Sequence, residues 1–60
     1  MYKFKRDLPI YINSIDSDFI FKRGYSYMGE IIDGKVRIWN IDKSVIVELD
    51  DGDVEEYLEV

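Results

Sequence analysis

YSYMGEIIDGKVRIWNIDKSVIVEL, residues 25–49, is the stretch on which the fold turns. At its centre Asp33-Gly34 separates two β-prone runs, a strong local signal for a two-residue type I′ turn whose central residues both need φ > 0. A two-residue loop places Ile32 opposite Lys35, Ile31 opposite Val36, Glu30 opposite Arg37, Gly29 opposite Ile38 and Met28 opposite Trp39. Side chains alternate along a strand. One face therefore carries Tyr25, Tyr27, Gly29, Ile31, Val36 and Ile38, and the other carries Met28, Glu30, Ile32, Lys35, Arg37 and Trp39. Only the first set is free of charge, so it is predicted to face the core. Glu30 and Arg37 then pair across the outer face, for roughly 0.2–1 kcal/mol. The next strand, Ser44 to Leu49, extends the pattern with Val45, Val47 and Leu49 inside and Ile46 and Glu48 outside. Asn40 to Lys43 form the connecting loop.

Sixty residues make one domain, 1–60. A chain of this length buries about 60% of its unfolded surface, and its core supplies only ~3–5 kcal/mol. There is no cysteine and no histidine, which removes disulfide staples and the usual zinc ligand sets. Five Tyr, three Phe and one Trp within a 47% hydrophobic composition exceed what a disordered chain carries. No apolar run approaches the ~20 residues of a bilayer span, and the N-terminal residues lack the apolar core of a signal peptide. A cytoplasmic protein without membrane association is expected. The net charge of −5 is unevenly spread: residues 1–43 hold all eight Lys and Arg against six acids, whereas residues 44–60 hold seven acids and no base. A closed barrel would bring Lys3, Lys5 and Arg6 beside that acidic segment.

Tyr2-Lys3-Phe4-Lys5-Arg6 alternates as a first strand with Tyr2 and Phe4 inward. Asp7-Leu8-Pro9 interrupts it, because proline donates no ladder hydrogen bond. Ile10-Tyr11-Ile12 reads as a short edge strand, and Asn13 to Asp18 as an irregular loop. Phe19 and Phe21 are predicted core. Gly24 supplies a positive φ or a bulge before the strand that opens at Tyr25. Beyond Leu49, Asp50-Asp51-Gly52-Asp53 signals a turn, and Asp53 caps one short α or 3₁₀ turn near residues 52–57 with acids in its first turn. Tyr57 to Val60 form a closing strand with Leu58 and Val60 on one face.

Taken together, Phe21-Lys22-Arg23-Gly24-Tyr25, the Asp33-Gly34 hairpin, the two strands after it, the turn near Val54 and the last strand resemble a small SH3-like barrel over residues 19–60. The leading Met-Tyr and the Gly-x-x-Tyr style opening are similar to short phage and prophage proteins of Gram-positive bacteria. That resemblance implies an all-β barrel of about five strands in a protein that binds, and modulates, a host protein. The Ala-Leu-Tyr-Asp-Tyr stretch and paired Trp-Trp of the peptide-binding SH3 family are absent, so binding of proline-rich ligands is not implied.

An enzyme is not expected. Ser14, Ser17, Ser26 and Ser44 have no activating base beside them, and the carboxylates of Asp50, Asp51 and Asp53 lack an enclosed cleft. No cofactor or metal is expected, because Asp50-Asp51-Gly52-Asp53 departs from the alternating spacing of a calcium loop. Three surfaces remain. Residues 48–59 hold seven carboxylates among twelve residues; they form either a solvated face or, through Asp51, Asp53, Glu55 and Glu56, a surface that imitates nucleic-acid phosphates. Met28, Trp39 and Ile46 fall on the outer face, where residues 1–18 either cover them or leave an apolar contact patch for a foreign protein or a second copy. Lys3, Lys5, Arg6, Lys22 and Arg23 interleave with Tyr2, Phe4 and Tyr25 as in single-strand binders, against which stands the pI near 4.4. The sequence reading is thus a non-enzymatic protein–protein interaction module acting through Met28, Trp39, Ile46, Asp51, Asp53, Glu55 and Glu56. A nucleic-acid-binding module using the basic N-terminal strand is the alternative.

Overall fold

The computed structural model describes residues 1–59. In chain order the elements are β1 (Tyr2–Lys3), β2 (Leu8–Ile12), a 3₁₀ turn (Asn13–Ile15), β3 (Ser17–Phe21), β4 (Ser26–Ile32), β5 (Lys35–Trp39), β6 (Ile46–Leu49) and α1 (Asp51–Tyr57). The strands form two antiparallel sheets, one of four strands in the order β1-β4-β5-β6 and one made of the β2–β3 hairpin. Among the described residues this is an all-β, barrel-like fold with six strands, where about five were expected.

The central turn forms as its residues require. Asp33 and Gly34 have φ of 53° and 78°, and β4 and β5 pair from Ile32↔Lys35 to Met28↔Trp39 in the predicted register. β6 follows the same alternation: Val45 and Leu49 are buried, and Val47 packs against the core while Ile46 faces out. Two residues of the predicted inner face are nevertheless solvent-exposed, Tyr25 at 61% and Ile31 at 69%. Tyr25 precedes β4 and belongs to the reversal at Gly24, whose φ is 86°, so strand alternation does not govern it. Ile31 sits beside the hairpin tip, beyond the reach of the layer that covers Ile38.

That covering layer is the β2–β3 hairpin, paired from Leu8↔Phe21 to Ile12↔Ser17. Its strand contains Pro9 rather than stopping there. A two-stranded sheet has two free edges, and an edge tolerates a residue that cannot donate. The segment expected to be an irregular loop is mostly ordered into the hairpin. It reverses through the 3₁₀ turn and Asp16, whose φ is 46° and whose side chain accepts a hydrogen bond from the Tyr11 hydroxyl at 2.5 Å. Asp tolerates this left-handed conformation better than most residues. Leu8, Ile10, Ile12 and Phe19 of the hairpin pack against the core.

Phe4, Phe21, Ile38, Val45, Leu49 and Leu58 form that core. Phe4 stacks on Phe21 at 5.4 Å and meets the edge of Tyr27 at 5.5 Å. Its backbone is held on both sides: the Phe4 N–H donates to the Tyr25 carbonyl at 3.0 Å, and Phe4 bridges Leu58 on the other side. The flanking bonds, Lys5 N–H to the Tyr57 carbonyl at 2.8 Å and Glu59 N–H to the Lys3 carbonyl at 2.9 Å, hold the chain after α1 against the first strand. The helix begins earlier and runs longer than the sequence suggested, because its cap is Asp50 and not Asp53. Asp50 accepts from the Asp53 N–H at 2.9 Å, and Asp53 accepts from the Asp50 N–H at 3.4 Å, a reciprocal capping box. In place of the closing strand expected over Tyr57 to Val60, Leu58 is buried and forms an isolated bridge, and Val60 lies outside the described residues.

Candidate functional site

Two registers share Trp39. Met28 pairs with Trp39 across β4–β5, and Trp39 pairs with Ile46 across β5–β6, so the three side chains form one row on the outer face. The β1–β4 pairing of Tyr2 with Tyr27, carried one residue further, sets Met1 at the end of that row. Met28 and Ile46 are 54% and 53% exposed, and Trp39 is half-buried with the Lys43 ammonium 4.8 Å from its ring centre. A cleft of about 400 Å³ opens beside the row, between Met1, Phe19, Tyr27, Met28, Trp39 and Ile41. Residues 1–18 do not cover this surface. The hairpin they begin packs on the opposite face and reaches the cleft through Phe19 alone, and of residues 1–18 it is Met1 that lines it.

The neighbouring row, Glu30–Arg37–Glu48, carries the charge. Arg37 donates to Glu48 at 2.8 Å instead of forming the predicted pair with Glu30. β6 offers it a second carboxylate directly opposite. The hydrogen bond from Arg37, and then its positive charge, hold the Glu48 carboxyl below the usual carboxylate range.

The loop from Asn40 to Val45 is built from its own polar groups. Asn40 donates its N–H to the Val45 carbonyl at 3.2 Å, its side-chain oxygen accepts from the Val45 N–H at 2.9 Å, and its amide nitrogen donates to the Ser44 hydroxyl at 2.9 Å. Asp42 accepts from the Ser44 N–H at 3.0 Å, and the hydrogen bonds from Ser44 lower its pKa. Lys43 takes a φ of 59°, and Ile41 stands fully exposed at the mouth of the cleft. Two carboxylates on this surface are thus depressed on folding. Such groups stabilise above their unfolded pKa, and the contribution disappears as pH falls through the folded value. Acidification below the usual carboxylate range is therefore expected to loosen the loop, read as faster amide exchange at Ser44 and Val45 once adjusted for the intrinsic rate. Unchanged protection through the titration of Asp42 would contradict that role.

Sequence reasoning missed Ile41 and Met1. A signal for Ile41 was present: an isoleucine between Asn40 and Asp42-Lys43-Ser44 has no core to face.

The acidic residues lie elsewhere. Ile46 and Leu49 are three residue steps apart, about 10 Å of strand, and α1 follows from the far end. The structure therefore does not join Asp51, Asp53, Glu55 and Glu56 to the Met28–Trp39–Ile46 row. It also engages two of the four: Asp53 in the capping box and Glu56 with Arg6 at 2.8 Å. Lys3 approaches Glu59 at 3.9 Å, and the Arg6 guanidinium lies 5.4 Å from the Tyr57 ring centre. The basic first strand and the acidic last segment, polarised in sequence, are neighbours in space. Among the described residues Asp51 and Glu55 form no ion pair, no three carboxylates converge as a metal site requires, and no helix is long and apolar enough to cross a membrane. No protein family, curated protein or solved structure matches this chain.

Proposed function

We propose that this chain is a non-catalytic protein-binding module whose contact surface is the outer face of the four-stranded sheet, centred on Trp39. The observation that supports it most is the Met28–Trp39–Ile46 row, open to solvent beside an apolar cleft. A Trp anchor amid apolar neighbours, with a rim of Glu30, Arg37, Glu48 and Lys43, has the composition of an interface hot spot. The resemblance to short phage and prophage proteins makes a host protein the partner class, and modulation of that partner the outcome. The SH3-like assignment belongs to the same proposal. Asp51 and Glu55, unpaired at the far end of the sheet, serve charge steering, which alters association rate more than affinity. The phosphate-imitating reading has less support, because Asp53 and Glu56 are engaged within the fold. The nucleic-acid reading loses support for the same reason, with Lys3 and Arg6 facing Glu59 and Glu56.

The test is capture from host lysate with wild-type and Trp39→Ala baits in parallel, each checked for folding by circular dichroism. A folded Trp39→Ala bait is expected to lose the proteins that wild type retains, while Asp51→Asn/Glu55→Gln keeps them with weaker salt dependence. Equal capture by the folded Trp39→Ala bait would overturn the proposal, and recovery of nucleic acid released by salt would favour the alternative.

A further inference from the structure

We infer that the occupant of this surface in the isolated protein is a second copy of the chain, the Ile41 loop of each copy seating against the apolar cleft of the other. The inference rests on the protein-binding reading and names the partner of that same site. Three features select a second copy.

The first is self-complementarity. An isologous two-fold contact needs projection and recess on one patch, and here Ile41 stands at the rim of the cleft formed with Met1, Met28 and Trp39. The projection is also held in place beforehand. Hydrogen bonds among Asn40, Asp42, Ser44 and Val45 fix the loop, so little ordering entropy remains to be lost on contact.

The second is charge. The chain carries a net charge of −5, which opposes self-association through most of its surface. The outer face is close to balance, with Lys3, Lys35, Arg37 and Lys43 beside Glu30, Asp42, Glu48 and, at its edge against Lys3, Glu59. Six of the seven acids of residues 44–60 belong to the segment from Asp50 to Glu59, which starts at the other end of β6. Two copies that meet on the Trp39 face keep those carboxylates away from the centre of the contact.

The third is area. The exposed parts of Met1, Met28, Ile41 and Ile46 leave on the order of 500 Å² of largely apolar surface, in the upper part of the range for the largest patch on a monomer. Half-buried Trp39 adds to this, and a stable interface of standard size buries roughly 800 Å² per partner. The apolar patch thus accounts for more than half of the area that such a dimer needs, and the polar rim of Glu30, Arg37, Lys43 and Glu48 supplies the remainder.

Sedimentation equilibrium of the full chain from micromolar to near-millimolar concentration tests the inference, with Ile41→Lys as the disrupting variant and Ile31→Lys as the control. Both side chains are largely exposed, so neither substitution threatens the core. The expected mass for wild type and Ile31→Lys rises from 7.2 kDa toward twice that value, and Ile41→Lys weakens association by at least about tenfold. Wild type that stays at the monomer mass throughout would overturn the dimer, while Trp39-dependent capture of another protein would leave the protein-binding reading standing. A dimer unaffected by Ile41→Lys and by Trp39→Ala would place the contact on another surface and overturn the inference.

Discussion

Phe4→Ala is expected to leave the chain largely unfolded at 25 °C. The side chain is fully buried, it stacks on Phe21 and meets the edge of Tyr27, and its truncation creates a cavity where the four-stranded sheet, the hairpin and the segment after α1 converge. Truncating a buried Phe costs about 3–5 kcal/mol. A core this small supplies only ~3–5 kcal/mol in total, so the substitution removes most or all of the margin. Far-UV circular dichroism and the loss of a cooperative urea transition give the readout. A cooperative transition with a midpoint near that of wild type would show that the aromatic cluster is not what holds the two sheets together.

Gly29→Ala is expected to cost about 1–3 kcal/mol, the range for overpacking a closed site. The position needs neither a turn nor a positive φ. What it needs is the absence of a side chain: a Cβ here would lie 2.6 Å from the Arg37 carbonyl oxygen and 3.0 Å from the Tyr2 ring. The ring can shift, but the carbonyl belongs to the β4–β5 ladder. Relief requires the strands to separate between Gly29 and Ile38, at the middle of the hairpin that sets the register. The measurement is the urea midpoint, and an unchanged slope would show that the folded state keeps its compactness. A shift within about 0.5 kcal/mol of wild type, the usual size of a surface change, would mean that the sheet bends freely at this point.

How much of this was legible in the sequence depends on how local each determinant is. Asp33-Gly34 carries its own conformational preference, so the β4–β5 register followed from two residues and the alternation around them. The inward positions of β6 followed by the same rule. Ile31 shows the limit of that reasoning. Alternation tells which side of a sheet a residue occupies, but not how far the covering layer extends, and here the cover ends before the hairpin tip. The β2–β3 hairpin was obscured by Pro9, a strand breaker inside a sheet that is tolerated where both strands are edges. The pairing of Phe4 with Leu58 joins residues far apart in the chain, and no local pattern announces it. Arg37 faced Glu30 in the hairpin that the sequence made visible, and faced Glu48 as well once β6 was in place. For the site, two registers sufficed to bring Met28, Trp39 and Ile46 together, whereas the cleft and Ile41 depend on how a loop folds over the end of the sheet.

Everything proposed for the outer face depends on the pairing of β4 with β5, and backbone proton contacts in a NOESY spectrum report that pairing directly. Cross-strand contacts connecting Gly29 with Ile38 and Ile31 with Val36 are the expected result, with Trp39 then opposite both Met28 and Ile46. Hα–Hα contacts one residue out of step, Gly29 with Arg37 or with Trp39, would turn Arg37 toward the core and break up the apolar row, contradicting both the fold and the site built on it.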